Sequence, residues 1–91
     1  MTERVAPAPT LRSLRAAVAV AAAGSTTAAA GALHLSQPTV ARAIAQLEQA
    51  LGLPLFERSR QGMRPTGQGT PLFGRMRETL AHLGRADAAE E

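Results

Sequence analysis

The chain has 91 residues with no cysteine, two histidines, ten basic and seven acidic side chains, and a net charge of +3. This length suits one small domain and is too short for a nucleotide-binding sheet or a deep catalytic cleft. His34 and His82 are far apart in the sequence and no thiol is available, so we expect no metal site, no cofactor and no catalytic residues. The domain must therefore fold by packing alone.

Positive charge is concentrated in the first two thirds of the chain. Residues 1–66 carry seven Arg and three Glu, a net charge of +4, whereas residues 67–91 carry three Arg and four acids, a net charge of −1. All ten basic residues are arginine. Guanidinium groups suit bidentate contact with phosphate or guanine, although a genome-wide codon bias would produce the same usage. The position of the charge favours an anionic partner for the first part of the chain.

The chain opens with a leader and a first helix. Residues 1–9 contain two prolines and are predicted to be disordered. From Thr10, a suitable N-cap, apolar side chains recur at helical spacing until Gly24; they are Leu11, Leu14, Val18 and Ala21. The alanine-rich part resembles a signal peptide but has no leucine core, and no segment reaches transmembrane length. We therefore expect a helix of the domain, without a membrane partner.

Two further helices are indicated by their capping residues. Ser25 is placed to cap a short helix that runs to His34, and the alanines at 28–30 would let neighbouring helices approach closely. Ser36 is placed to cap a third helix, with Pro38 in the first turn, where a missing N–H costs little.

The third helix has two distinct sides. Its predicted core stripe comprises Val40, Ala43, Ile44, Leu47 and Leu51. The opposite side carries small and amide side chains with one arginine and no acid before Glu48; its members are Pro38, Thr39, Ala41, Arg42, Ala45, Gln46 and Gln49. Such a surface fits an anionic groove, which disfavours acids and bulk. It equally fits an ordinary solvated surface rich in Ala and Gln.

The segment after the third helix favours the first alternative. Gly52 is predicted to end the helix, and apolar anchors at Leu53, Leu55 and Phe56 precede a basic hairpin over residues 58–64 with a turn glycine. A hairpin that carries arginines can contact phosphate or the minor groove. A solvated loop is the alternative, but the position beside a capped helix favours nucleic-acid contact.

These pieces together resemble the N-terminal winged helix-turn-helix domain of LysR-type transcriptional regulators over about residues 11–85. The resemblance rests on Gly24-Ser25, Thr27, Ala29-Ala30, Leu33, Ser36-Gln37-Pro38, Arg42, Ile44, Leu47-Glu48, Leu51-Gly52, Leu55-Phe56-Glu57-Arg58, Thr66 and Gly69. It implies a mainly α fold: a winged helix-turn-helix with a three-helix core and a short two-stranded wing over residues 10–66, then a long linker or dimerisation helix over residues 67–91.

The resemblance also implies roles for individual residues. Base edges in DNA would be read by Gln37, Pro38, Thr39, Ala41 and Arg42. Phosphates would be contacted by Ser25, Thr27 and Ser36, through hydroxyls and helix N-termini. The wing or minor-groove contacts would be Arg58, Arg60 and Arg64.

Four positions depart from the family pattern. The family usually has aromatic residues where Ala17 and Thr26 stand, so we expect a poorer core and a lower stability. Ala41 replaces a common serine and removes one possible hydrogen bond to DNA. Gln61 replaces an arginine that is common before the wing glycine.

The last helix carries an apolar stripe formed by Leu72, Phe73, Met76, Leu80 and Leu83. In the resembled family the linker helix pairs with its twin, which implies dimerisation through these residues. The alternative is that the stripe folds back on its own domain, which we expect in part near Leu72 and Phe73. Since Pro71 would interrupt a helix that started at Thr66, we predict either a start near Thr70 or a bend.

The sequence thus predicts a regulator of bacterial transcription and not an enzyme. It would bind double-stranded DNA at a palindromic operator as a homodimer through the C-terminal helix, in the cytoplasm on the nucleoid. A small-molecule effector is expected only if a C-terminal sensing domain exists. The alternative function is an interaction module that heterodimerises with a full-length regulator and modulates it.

Overall fold

The computed structural model describes residues 8–90, with side chains over residues 8–84. Most of the predicted leader, residues 1–7, lies outside that range, as does residue 91. The elements follow in the order α1 (Leu11–Ala23), α2 (Thr26–Leu33), α3 (Gln37–Leu51), β1 (Phe56–Ser59), β2 (Gly62–Pro65) and α4 (Thr70–Glu90). The predicted fold, three helices and a two-stranded wing followed by a long helix, is confirmed.

The first three helices begin and end at the predicted capping residues. Thr10, Ser25 and Ser36 each accept a hydrogen bond from the backbone N–H three residues ahead, which satisfies a donor that the first turn leaves free. Gly24 and Gly52 end α1 and α3 in the left-handed conformation, with φ of 79° and 73°. The capping pattern therefore sets the lengths of these helices.

The core lies between α1, α2, α3 and the first turns of α4. Its buried apolar side chains are Ala16, Ala17, Val20, Ala29, Ala30, Val40, Ala43, Ile44, Leu47, Leu55, Phe56, Phe73 and Met76. Five of these thirteen are alanines, so the helices pack closely around little side-chain volume. The Phe56 and Phe73 rings lie 5.2 Å apart between centroids, in a tilted arrangement that joins the wing to α4.

The wing is an antiparallel hairpin in which Phe56 pairs with Pro65 and Ser59 pairs with Gly62. The pairing leaves a connection at residues 60–61. The Ser59 hydroxyl donates to the Gly62 carbonyl at 3.2 Å and accepts from the Gln61 N–H at 3.2 Å, which closes the turn. The hairpin is therefore short and fixed at its tip.

The last helix begins at Thr70, which is one of the two predicted alternatives. Pro71 is its second residue, where no N–H is needed for the helix ladder. Phe73 and Met76 are buried, and α4 packs against α1. Side chains from both sides of the predicted domain boundary, between residues 66 and 67, meet in one core. The boundary itself stays a prediction. No helix in the described part of the chain is long and apolar enough to cross a membrane.

Candidate nucleic-acid interface

The outward side of α3 is uncharged except for Arg42. Of the five predicted core residues, Val40, Ala43, Ile44 and Leu47 are buried on the inner side, and Leu51 is half-buried against the same core. The exposed positions of the helix are Gln37, Pro38, Ala41, Arg42, Ala45, Gln46 and Gln49. The helix contains one acid, Glu48, and its carboxylate is bonded to the backbone of the following segment. The exposed surface therefore presents one cation, three amides and small side chains.

The N-terminus of α3 holds four of the predicted contact residues, Ser36, Gln37, Pro38 and Thr39. The Ser36 Oγ accepts from the Thr39 N–H at 3.2 Å and lies 2.7 Å from the Thr39 hydroxyl. Thr39 is half-buried in this arrangement, whereas Pro38 is exposed. Ser36 and Thr39 thus form one local unit, and the side chains fully free to reach outward on this turn are those of Pro38, Ala41 and Arg42.

Gln37 has a partner that the sequence did not indicate. Its Nε2 donates a hydrogen bond to the Thr26 Oγ1 at 3.1 Å. Gln37 is the first residue of α3 and Thr26 is the first residue of α2. The bond therefore ties together the N-termini of the two helices that form the helix-turn-helix.

The start of α2 faces the wing across a cleft. The residues that line this cleft are Ser25, Thr26, Arg58, Ser59, Arg60, Gly62 and Met63. Two arginines thus line the same cleft as the N-terminus of α2, an arrangement that suits an anion. The predicted phosphate contact Ser25 lines the cleft, and its Oγ accepts from the Ala28 N–H at 3.0 Å. Thr27 is exposed next to it.

The three predicted wing arginines are all exposed, but they do not share one side of the hairpin. Arg58 pairs with Met63, while Arg64 pairs with Glu57. Because successive side chains of a strand point to opposite sides, Arg58 and Arg64 lie on opposite sides of the hairpin. The structure therefore brings Arg58 and Arg60 to the cleft and places Arg64 beside a carboxylate.

The wing is held against the helices by contacts that sequence reasoning missed. The Met63 N–H donates to the Gly24 carbonyl at 2.8 Å. Gly62 has φ of 120°, and a Cβ at this position would collide with that same carbonyl oxygen. The glycine is therefore required both for the backbone conformation and for the close approach of β2 to the turn between α1 and α2.

A second missed contact joins α3 to β1. The Glu48 Oε2 accepts from the Leu55 N–H at 2.7 Å and from the Phe56 N–H at 3.3 Å. The Thr66 hydroxyl, on the other side of the hairpin, donates to the Pro54 carbonyl at 2.6 Å. Glu48 and Thr66 were both part of the motif that suggested the fold, but their spacing gave no indication of these partners. Together they fix the distance between the outward side of α3 and the wing.

The predicted dimerisation residues on α4 divide into two groups. Phe73 and Met76 are buried in the domain itself, at 3% and 6% exposure. Leu72 and Leu80 are half-buried, and Leu83 is 43% exposed. A role of these residues in dimerisation stays a prediction, and the apolar surface open to a partner comes mainly from Leu83 with the free parts of Leu72 and Leu80.

Among the described residues, no group of three His, Asp or Glu side chains could hold a metal ion. His34 instead ends α2, with φ of 57° and its N–H directed at the Ala30 and Gly31 carbonyls.

Residues 11–70 match the model of the family described as bacterial regulatory helix-turn-helix proteins, lysR family. The chain belongs to this family. Its resemblance to LysR-type regulators and its fold class are thereby confirmed. Family and fold are those of transcription regulators and not of enzymes.

Two relatives match this chain over part of their own length. The transcriptional activator protein LysR of Escherichia coli K12 is 46% identical over 81 residues, which are 89% of this chain and 26% of that protein. A small neutral protease regulatory protein of Streptomyces coelicolor A3(2) is 46% identical over 85 residues, 87% of this chain and 26% of that protein. The chain thus spans about a quarter of the length of these relatives.

Solved structures show the same fold as this chain. A CbnR DNA-binding domain in complex with DNA superposes with a TM-score of 0.83 at 38% identity, covering 89% of this chain and 93% of that one. The BenM DNA-binding domain with benA site 1 DNA gives a TM-score of 0.82 at 34% identity, covering 89% and 91%. CbnR, a LysR family transcriptional regulator, gives a TM-score of 0.85 at 38% identity, with 89% of this chain and 28% of that one covered.

Proposed function

We propose that this domain binds double-stranded DNA sequence-specifically, as a dimer on a palindromic operator, and thereby regulates transcription on the bacterial nucleoid in the cytoplasm. The observation that carries the proposal is the outward side of α3, which has no acid and lies beside a cleft lined by Arg58 and Arg60. Two structural neighbours at 38% and 34% identity were solved with DNA, which supports the same partner here.

The shape of α3 suits the major groove. The groove is about 12 Å wide and admits one α-helix. Ala41 and Ala45 are exposed and small, so they allow the helix axis to approach the bases. Arg42, next to Ala41, can donate two parallel hydrogen bonds to the O6 and N7 of guanine. We assign Gln37, Pro38, Thr39, Ala41 and Arg42 to base contact on this basis.

The cleft suits the phosphate backbone. Ser25 and Thr26, at the N-terminus of α2, line the cleft together with Arg58 and Arg60 of the wing, and both a helix N-terminus and arginines favour an anion. Thr27 and Ser36 stand at the first turns of α2 and α3 and would contact neighbouring phosphates. Arg64, which pairs with Glu57, would contribute less because the nearby carboxylate repels phosphate.

A titration of DNA binding with matched variants tests the proposal. Fragments of bacterial genomic DNA would be selected on the purified protein and then titrated by mobility shift. Arg42→Ala should lose roughly 1 to 3 kcal/mol on the selected site and little on random DNA. Arg58→Ala should weaken both DNAs alike and reduce the slope of log K against log salt by about 1. Binding that is indifferent to sequence, with Arg42→Ala as strong as wild type, would contradict the proposal.

A second candidate function is heterodimerisation with a full-length regulator, which this chain would modulate. The exposure of Leu83 on α4 favours it, because that side chain is available to any matching helix. Co-purification discriminates between the two: a chain that dimerises with itself and binds its site alone needs no such partner. A small-molecule effector enters either proposal only through a C-terminal sensing domain.

A further inference from the structure

Thr26 and Gln37 are joined by a side-chain hydrogen bond at the centre of the candidate interface. The Gln37 Nε2 is the donor, the Thr26 Oγ1 is the acceptor, and the two atoms lie 3.1 Å apart. Gln37 is exposed, whereas Thr26 is half-buried and lines the cleft between α2 and the wing. A flexible surface amide is thus tied to a side chain on a different helix.

The bond leaves the amide with a defined pair of free groups. A glutamine side chain has two N–H donors and one carbonyl oxygen, which has two lone pairs. With one N–H directed to Thr26, one N–H and the Oε1 remain. Those two groups match the major-groove edge of adenine, which offers the N7 acceptor and the N6 donor. Pairing with adenine uses the Oε1 and the N–H on the same side of the amide as that oxygen, so the tether is compatible with reading an A·T pair when Thr26 accepts from the other N–H.

The tether also removes freedom that DNA binding would otherwise have to remove. An untethered glutamine on a protein surface samples many rotamers, and ordering it on binding opposes the contact. Here the position of the amide is set on folding, because Thr26 is fixed as the first residue of α2. Preorganisation of this kind strengthens the contact for which the orientation is correct and penalises others.

We propose that Thr26 is a positioning residue that holds the Gln37 amide for an adenine in the major groove and so sets a base preference of this domain. The proposal rests on the proposed function, since it needs α3 to lie in the groove. Thr26 itself contacts no base, and its effect passes through Gln37.

The test compares hydroxyl deletion with hydroxyl retention. Wild-type protein would be used to select a site from a randomised double-stranded DNA library, and Gln37→Ala would identify the base pair at which preference is lost. Thr26→Val, which keeps the shape and removes the hydroxyl, should then reduce the preference for A·T at that pair by about tenfold. Thr26→Ser should retain it. Preferences at the other base pairs should change little.

Two controls separate positioning from a general defect. Thr79→Val makes the same chemical change on α4, where the hydroxyl donates to the Arg75 carbonyl, and should leave site preference and affinity unchanged. In a Gln37→Ala background, Thr26→Val should have no further effect on preference, because its influence passes through the amide. Circular dichroism would check folding, and Thr26→Ala provides a second deletion of the hydroxyl if the valine variant does not fold.

The outcomes are distinguishable. If wild-type protein enriches no sequence, the proposed function fails. If it enriches a site but Thr26→Val keeps the full preference at the Gln37 pair, or acts equally without Gln37, the inference fails while the function stands. A Gln37-dependent preference for a pair other than A·T also overturns it.

Discussion

The carboxylate of Glu48 accepts two backbone N–H bonds from the segment that starts the wing, at 2.7 Å from Leu55 and 3.3 Å from Phe56. Leu55 is fully buried, so its N–H has little access to water. A charged acceptor makes such bonds about twice as strong as neutral ones. One side chain of α3 therefore holds in place both the core residue Leu55 and the first residue of β1.

Glu48→Ala should lower the free energy of unfolding by about 1 to 3 kcal/mol, because it leaves two partly buried donors without their acceptor. The measurement is urea denaturation followed by circular dichroism. Gln49→Ala is the matched control, since Gln49 is exposed on the same helix, and it should change stability by less than about 0.5 kcal/mol. Equal stabilities of the two variants would mean that the Glu48 bonds contribute nothing.

Gly62→Ala should destabilise the domain more than an ordinary glycine substitution. At φ of 120° an alanine is strained by about 1 to 3 kcal/mol, and its Cβ would displace the Gly24 carbonyl. Gly67→Ala is the control, because a Cβ there meets open space. The midpoint of thermal unfolding should be well below that of wild type for Gly62→Ala and close to it for Gly67→Ala. A similar midpoint for both variants would argue against a fixed wing.

At the level of elements, the N-terminus of α3 combines a cap with a candidate phosphate contact. The Ser36 Oγ accepts a hydrogen bond from the Thr39 N–H, and a second hydrogen bond joins the Ser36 and Thr39 hydroxyls, either of which can be the donor. Its two roles make opposite demands on charge, because a helix N-terminus favours a carboxylate whereas a phosphate is repelled by one. A substitution with aspartate therefore separates them.

Ser36→Ala should cost about 1 kcal/mol of stability, the usual value for a lost N-cap, and Ser36→Asp should stay close to wild type in urea denaturation. For DNA affinity, the order of the two variants should be the opposite of their order in stability. Ser36→Asp should bind at least about tenfold more weakly than Ser36→Ala, since like charges brought together at an interface cost several kcal/mol. If Ser36→Asp binds as tightly as wild type in a mobility-shift titration, Ser36 does not face phosphate.

The sequence predicted the ends of the helices but not the contacts between distant segments. Helix ends were predictable because caps such as Thr10 and Gly52 act within a few residues. The Glu48 bonds, the Gly62 approach and the Gln37 tether each join segments that periodicity does not relate. Thr26 is instructive: its departure from the family's aromatic suggested only a poorer core, whereas in the structure its hydroxyl bonds Gln37.

In the whole molecule, part of the apolar stripe of α4 packs into the core of the domain itself. A helical wheel places Phe73 and Leu83 on one stripe and cannot tell which side chains meet α1 and which meet another chain. The structure buries Phe73 and Met76 and leaves Leu83 at 43% exposure. The side chains that the domain buries therefore lie in the first turns of α4, and the exposed Leu83 lies further along the same helix.

Leu83→Asp should separate dimerisation from folding. If Leu83 is buried between twin helices, losing that burial should weaken self-association by about 10- to 100-fold, the equivalent of 1.5 to 3 kcal/mol. The monomer should stay folded, because Leu83 is already partly solvated. Sedimentation velocity across a concentration series measures self-association, and circular dichroism checks that the monomer is folded.

Ala81→Asp is the control, because it adds the same charge at an exposed position off the stripe, and it should dimerise as wild type does. Loss of the dimer in both variants would indicate charge repulsion along α4. Retention of the dimer in both would exclude Leu83 from the interface.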